Sequence, residues 1–145
     1  MKRIFLGILT PSILAQQIIA INGGIRGAHW TNRNKLHLTL RFIGNVDEST
    51  FEDIRMTLGL LDVNAFYIKL MGIQHFGNTK KVRALWVGVQ RSRPLFDLRN
   101  AIESRFFDIG IESEQRKYIP HVTIARLRNS PMSHVKRFLE NYSAF

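Results

Sequence analysis

Two stretches constrain this chain more than any others: Leu36-His37-Leu38-Thr39-Leu40-Arg41-Phe42-Ile43-Gly44 and Pro120-His121-Val122-Thr123-Ile124-Ala125-Arg126. Each sets a His and a Thr two residues apart in an apolar, β-branched run bounded by turn formers, the pattern of a strand. Side chains alternate between the faces of a strand. His37, Thr39 and Arg41 are therefore expected on one face, and Leu36, Leu38, Leu40 and Phe42 on the other, against a core. By the same parity Arg126 is expected opposite to His121, reaching the His121 face only if the strand ends or twists there.

The segments around these strands repeat. Arg3 to Leu9 reads as a buried strand. Thr10-Pro11 then opens an amphipathic helix through Ile13, Leu14, Ile18 and Ile21 that stops at Gly23-Gly24. Residues 23 to 34 read as a loop before the His37 strand, and Gly44-Asn45 as the turn after it. A helix follows on Phe51, Ile54, Leu58 and Leu61, then a strand over Ala65 to Met71, and a mobile basic loop over Gln74 to Val82. Arg83 to Val89 reads as a strand, and Leu95, Leu98, Ile102 and Phe106 place a helix before Gly110. A polar segment, Glu112 to Lys117, precedes the His121 strand, and Ser130-Pro131 caps a last helix. Strand, helix and His-x-Thr strand thus occur twice, in halves of about 3–62 and 83–128. Each half resembles the βαβ part of a ferredoxin-like unit. A duplication of this kind is expected to bring His37 and His121 close together.

At 145 residues the chain fits one domain, 1–145, able to bury about two-thirds of its unfolded surface. There is no cysteine, which leaves imidazole, hydroxyl, carboxylate and guanidinium groups for any chemistry. A net charge of +10, from 21 Lys and Arg against 11 Asp and Glu, favours a polyanionic partner, and nucleic acid is the commonest. No apolar run approaches the roughly 20 residues of a membrane span and no signal-peptide pattern is found, so a soluble, cytoplasmic protein is expected.

Imidazole titrates near pH 6.5 in its ordinary state, so two rings in one site can supply a base and an acid together. Cleavage of a phosphodiester requires both: a proton is taken from the attacking oxygen and another is given to the leaving oxygen across phosphorus. Thr39 and Thr123 can donate hydrogen bonds to the non-bridging oxygens. A single H-x-T triplet in a strand is ordinarily structural, its His satisfied by a backbone carbonyl and its Thr suited to the strand. Two copies at matching places favour catalysis. His29, His75 and His134 read as surface or capping residues. No metal-ligand spacing occurs, and Gly23-Gly24 to Gly27 lacks the Lys-Ser/Thr tail of a phosphate loop, so neither metal nor cofactor is expected. Phe5 and Trp86, in matching strands, read as core positions.

HLTLRFIG and PHVTIAR resemble the paired H-x-T-x motifs of the 2H phosphoesterase superfamily, in particular the RNA 2′,3′-cyclic phosphodiesterases, also called 2′-5′ RNA ligases. RIFLGILTP, RALWVGV and IESEQRKYIPHVTIARLR extend the likeness over nearly the whole chain. The resemblance implies an α+β fold of two pseudo-symmetric ferredoxin-like lobes, with antiparallel sheets facing a central cleft and helices outside. It implies His37 as proton donor, His121 as proton acceptor, and Thr39, Thr123 and Arg126 as phosphate-binding residues. The implied substrate is RNA or a nucleotide with a 2′,3′-cyclic phosphate, opened to a 2′-phosphate, with 2′-5′ ligation as the related transfer. Phosphodiesterase action on 2′,5′-linked oligonucleotides or cyclic nucleotides, or RNA binding without turnover, are the alternatives. Members of this family usually continue past the point where this chain stops, so a C-terminal strand is expected to be missing. A monomer is expected, with association through the unpaired sheet edge.

Overall fold

A computed structural model describes residues 1–145. Its elements are β1 (Lys2–Leu9), α1 (Ser12–Ala20), β2 (Ala28–Trp30), β3 (His37–Val46), α2 (Glu48–Gly59), β4 (Leu70–Asn78), β5 (Lys81–Val89), α3 (Arg93–Asp108), β6 (His121–Leu127) and α4 (Met132–Asn141). The fold is α+β, with strands neighbouring in the order β1-β3-β6-β5-β4 and β2 also paired to β6. No helix is long and apolar enough to cross a membrane.

The chain forms two compact units, each assembled from three stretches. One comprises residues 8–38, 69–90 and 120–145, the other residues 1–7, 39–68 and 91–119. In the first, β5 is antiparallel to both β4 and β6, and β6 is antiparallel to β2 and to the start of β3. Its core collects Ile18 from α1, Leu85 and Val87 from β5, Val122 and Ile124 from β6, and Val135 from α4, all essentially inaccessible. In the second, Ile54 of α2 is buried, as are Leu95, Ile102 and Phe106 along one face of α3. Ser92 and Asp47 cap these two helices by accepting hydrogen bonds from the backbone N–H groups of Leu95 and Thr50.

Several local expectations change, each because a backbone partner overrides the sequence signal. Thr10 does not cap α1: its N–H donates to the Leu36 carbonyl at 3.0 Å, and Pro11 takes the cap position with no side-chain bond. Residues 23–34 contain β2 and a turn of 3-10 helix at Arg33–Lys35. Gly44-Asn45 is not a turn. β3 runs on to Val46, with Gly44 at φ +91°, and the chain turns at the Asp47 cap. β1 is not buried but alternates half-buried and exposed residues, leaving Phe5 49% accessible. The strand foreseen over Ala65 to Met71 begins only at Leu70, which pairs with Val89 at the end of β5; Tyr67 before it is fully exposed.

The largest difference is Gln74 to Val82, which is no loop but the tip of the β4–β5 hairpin. Asn78 pairs with Lys81 across a two-residue turn, and the Asn78 side-chain oxygen accepts from the N–H groups of Lys80 (2.9 Å) and Lys81 (2.8 Å). Gly77 sits at φ +100°, and a Cβ there would meet the Lys81 carbonyl oxygen. Gly77→Ala should therefore cost about 1–3 kcal/mol, measured by urea denaturation, from the combined left-handed strain and the clash. An unchanged midpoint would mean the hairpin tip is not held as described.

Candidate active site

The candidate site begins from the buried pair Leu38 and Val122, which are opposite each other where β3 and β6 run antiparallel. Residues directly opposite share a face, and their neighbours point the other way. One step along, His37 falls opposite Thr123. His121, two residues from Thr123, is then the diagonal neighbour of His37 on that face, a spacing of about 7–8 Å between strands. Both histidines and Thr123 are half-buried, on the face away from the Leu38 and Val122 core. Thr39 follows His37 by two residues on the same strand and is also half-buried.

Local structure orients each ring. The His37 Nδ1–H donates to the Lys35 carbonyl at 2.6 Å, which fixes the tautomer of the neutral ring. His121 stands edge-on to Phe76, with centroids 4.9 Å apart, and tilted against Trp86 at 5.4 Å; these two rings are themselves 4.9 Å apart. Trp86 is buried, as a core residue should be, but its position opposite Thr123 makes it a wall for His121. Phe76 lay in the segment read as a loop, so no sequence signal placed it here. Phe5 differs from the expected core role: it is exposed, its ring tilted 48° to that of Phe42 with centroids 6.0 Å apart, and Phe42, expected against the core, is itself 55% accessible.

Thr39 is steadied through its backbone. The Tyr118 hydroxyl donates to the Thr39 carbonyl at 2.8 Å, and the Arg99 guanidinium lies 4.4 Å over the Tyr118 ring. Burial pushes the Tyr118 phenol up to about 12, with Arg99 pulling weakly the other way. An acid whose folded-state value is raised keeps the associated stability below its ordinary value near 10 and loses it as pH climbs to about 12. Ultraviolet titration should show one tyrosine ionising about two pH units late, and Tyr118→Phe should remove that phase.

Arg126 shares the face of His121, contrary to simple parity. Between β4 and β5 the register is regular over the stretch that matters here: Phe76, His75 and Gln74 oppose Ala84, Leu85 and Trp86. Along β6 it is not, because Arg126 and Ala125 oppose Ala84 and Leu85 while Trp86 opposes Thr123, leaving Ile124 as an extra residue. This β-bulge buries Ile124 and Ala125 in succession and turns the exposed Arg126 to the Thr123 side. His75, opposite Leu85, falls on the other face. Arg41, which parity put beside His37, is instead 93% buried, with Nε 2.5 Å from the Glu103 carboxylate and its other nitrogens donating to the Phe42 and Glu112 carbonyls.

Residues 12–144 match the family model described as the 2′-5′ RNA ligase superfamily. The chain belongs to this superfamily. It is 30% identical over 129 residues to an RNA 2′,3′-cyclic phosphodiesterase of Methanocaldococcus jannaschii, covering 87% of this chain and 72% of that one. It is 34% identical over 95 residues to the protein of the same name from Aeropyrum pernix, covering 65% of this chain and 54% of the relative. Among solved structures, E. coli LigT in apo form superposes with a TM-score of 0.73 at 25% identity, over 86% of this chain and 71% of LigT. The chain thus spans between about half and three-quarters of the length of these superfamily members.

Proposed function

We propose that the chain hydrolyses 2′,3′-cyclic phosphate ends of RNA to 2′-phosphates, without a metal ion. The observation that carries this reading is the diagonal placement of His37 and His121 on one face about the Leu38–Val122 pair, in a member of a superfamily whose relatives are named for that activity. In the proposed reaction water attacks phosphorus and forms the new P–O bond while His121 takes its proton. The P–O3′ bond breaks, and His37 gives a proton to the departing 3′-oxygen through Nε2. The two rings exchange protonation states and return to the start through solvent. Thr39 and Thr123 donate to the non-bridging oxygens, and Arg126 offsets their charge. A ribose 5′-hydroxyl in place of water turns the same steps into 2′-5′ ligation. The single functional domain 1–145, with related halves, is part of this reading: β3 and β6 open with the same succession of half-buried, buried and exposed residues from His37 to Ile43 and from His121 to Leu127.

The test is a ribo-oligonucleotide ending in a 2′,3′-cyclic phosphate, incubated with the protein in EDTA. Conversion to the 2′-phosphate is the expected product. A 3′-phosphate product, or cleavage only of 2′,5′-linked substrates, would replace this reading with another phosphodiesterase. Tight binding without conversion would leave an RNA-binding module.

A further inference from the structure

We infer that Thr31 is a positioning residue for the proposed site: it holds the bulge of β6 from the edge opposite β5, and so keeps Arg126 on the face of Thr123. The inference rests on the proposed role of Arg126 in hydrolysis for its consequence, and on the hydrogen bonds of β6 for its mechanism. Thr31 is half-buried and follows the last residue of β2, inside a stretch whose sequence reads as loop.

Continuing the register Ala28–Leu127, His29–Arg126 and Trp30–Ala125 by one residue brings Thr31 opposite Ile124, the extra residue of the bulge. The Thr31 N–H donates to the Ile124 carbonyl at 2.9 Å, and the Thr31 hydroxyl donates to the Thr123 carbonyl at 3.1 Å. In a regular strand successive carbonyls point to opposite edges, so a residue on one edge reaches only one of them. Here a single residue takes both. The extra residue has therefore turned the Thr123 carbonyl from the β5 edge to the β2 edge, where a backbone partner offers one N–H for two acceptors. The Thr31 hydroxyl supplies the second donor. Without it the Thr123 carbonyl loses that partner, and the arrangement that competes is an unbulged β6 with its carbonyls alternating again. Ordinary alternation puts residue 126 on the face opposite residue 123. Thr31 thus acts on Arg126 at one remove, through the backbone between Thr123 and Ala125.

The test is kcat/KM for a nucleoside 2′,3′-cyclic phosphate in Thr31→Val, which keeps the branched shape and the N–H but lacks the hydroxyl. The expected loss is about ten-fold, the effect of one hydrogen bond. Thr31→Ala should repeat it, and Thr31→Ser, which keeps the hydroxyl, should restore most of the rate. Because the loss passes through Arg126, adding Thr31→Val to Arg126→Ala should cost little beyond Arg126→Ala alone. A general loss of structure would instead lower the rate equally with and without Arg126, and that result, or no loss at all in Thr31→Val, would overturn the inference. Should the intact protein turn nothing over, the hydrolytic reading fails, and the same four proteins are compared by calorimetry with a nucleoside 2′-monophosphate. Thr31→Val should then weaken binding about ten-fold when Arg126 is present and leave it unchanged in Arg126→Ala. Binding that is absent, or indifferent to Thr31→Val, rules the positioning role out.

Discussion

His121→Ala should lower the rate of 2′,3′-cyclic phosphate hydrolysis by about 10² to 10⁴, and His37→Ala by a similar factor, because each removes one positioned proton carrier. The two losses should differ in kind. Without His37 the 3′-oxygen must leave unprotonated, so a substrate with sulfur at that position, a better leaving group, should recover much of the rate in His37→Ala and none in His121→Ala. Without His121 the attacking water keeps its proton, and hydroxide should compensate as pH rises. Both residues are half-buried on a strand face rather than in the core, so thermal unfolding of the variants should stay near that of the intact protein. Equal rescue of both variants by the sulfur substrate would show that the donor and acceptor roles are wrongly divided. A loss below ten-fold in either would remove that ring from the chemistry.

Glu103→Ala should lower stability by about 3 kcal/mol, through a residue that has no part in the proposed reaction. Arg41 is 93% buried, and Glu103 is its carboxylate partner at 2.5 Å. Breaking a buried ion pair by removing one member ordinarily costs about 3–5 kcal/mol, because the other charge is left without compensation. Carbonyl bonds to Phe42 and Glu112 remain for Arg41, and Glu103 keeps 17% of its side chain in solvent, which argues for the lower end. Against a typical total of about 5–15 kcal/mol this is a large fraction. The urea midpoint of Glu103→Ala reports it directly. Replacing both residues, Arg41→Met with Glu103→Leu, should recover part of the loss, since an apolar pair leaves no orphan charge. A change under about 1 kcal/mol in Glu103→Ala would mean that solvent or the carbonyls hold Arg41 without it.

Strand and helix types were readable wherever periodicity was strong: α2, α3, β3, β5 and β6 lie where alternating or helical apolar spacing puts them. The paired H-x-T strands were readable too, because a period of two assigns faces without reference to any partner. Elements whose existence depends on pairing were not. Short β2, the start of β4 and the polar hairpin tip at Asn78 are strands because β5 or β6 offers backbone groups at those positions, and a window of sequence contains no trace of the partner. Arg41 and Arg126 mark the same boundary for side chains. Their parity from the nearest histidine is plain in the sequence, yet one is drawn into the interior by Glu103 and the other is turned outward by a register shift against β5. Local alternation alone therefore determined that His37 and Thr39, and likewise His121 and Thr123, share a strand face. The neighbouring strands decided which cations stand with them, because a bulge is a mismatch between two chains and has no meaning for one.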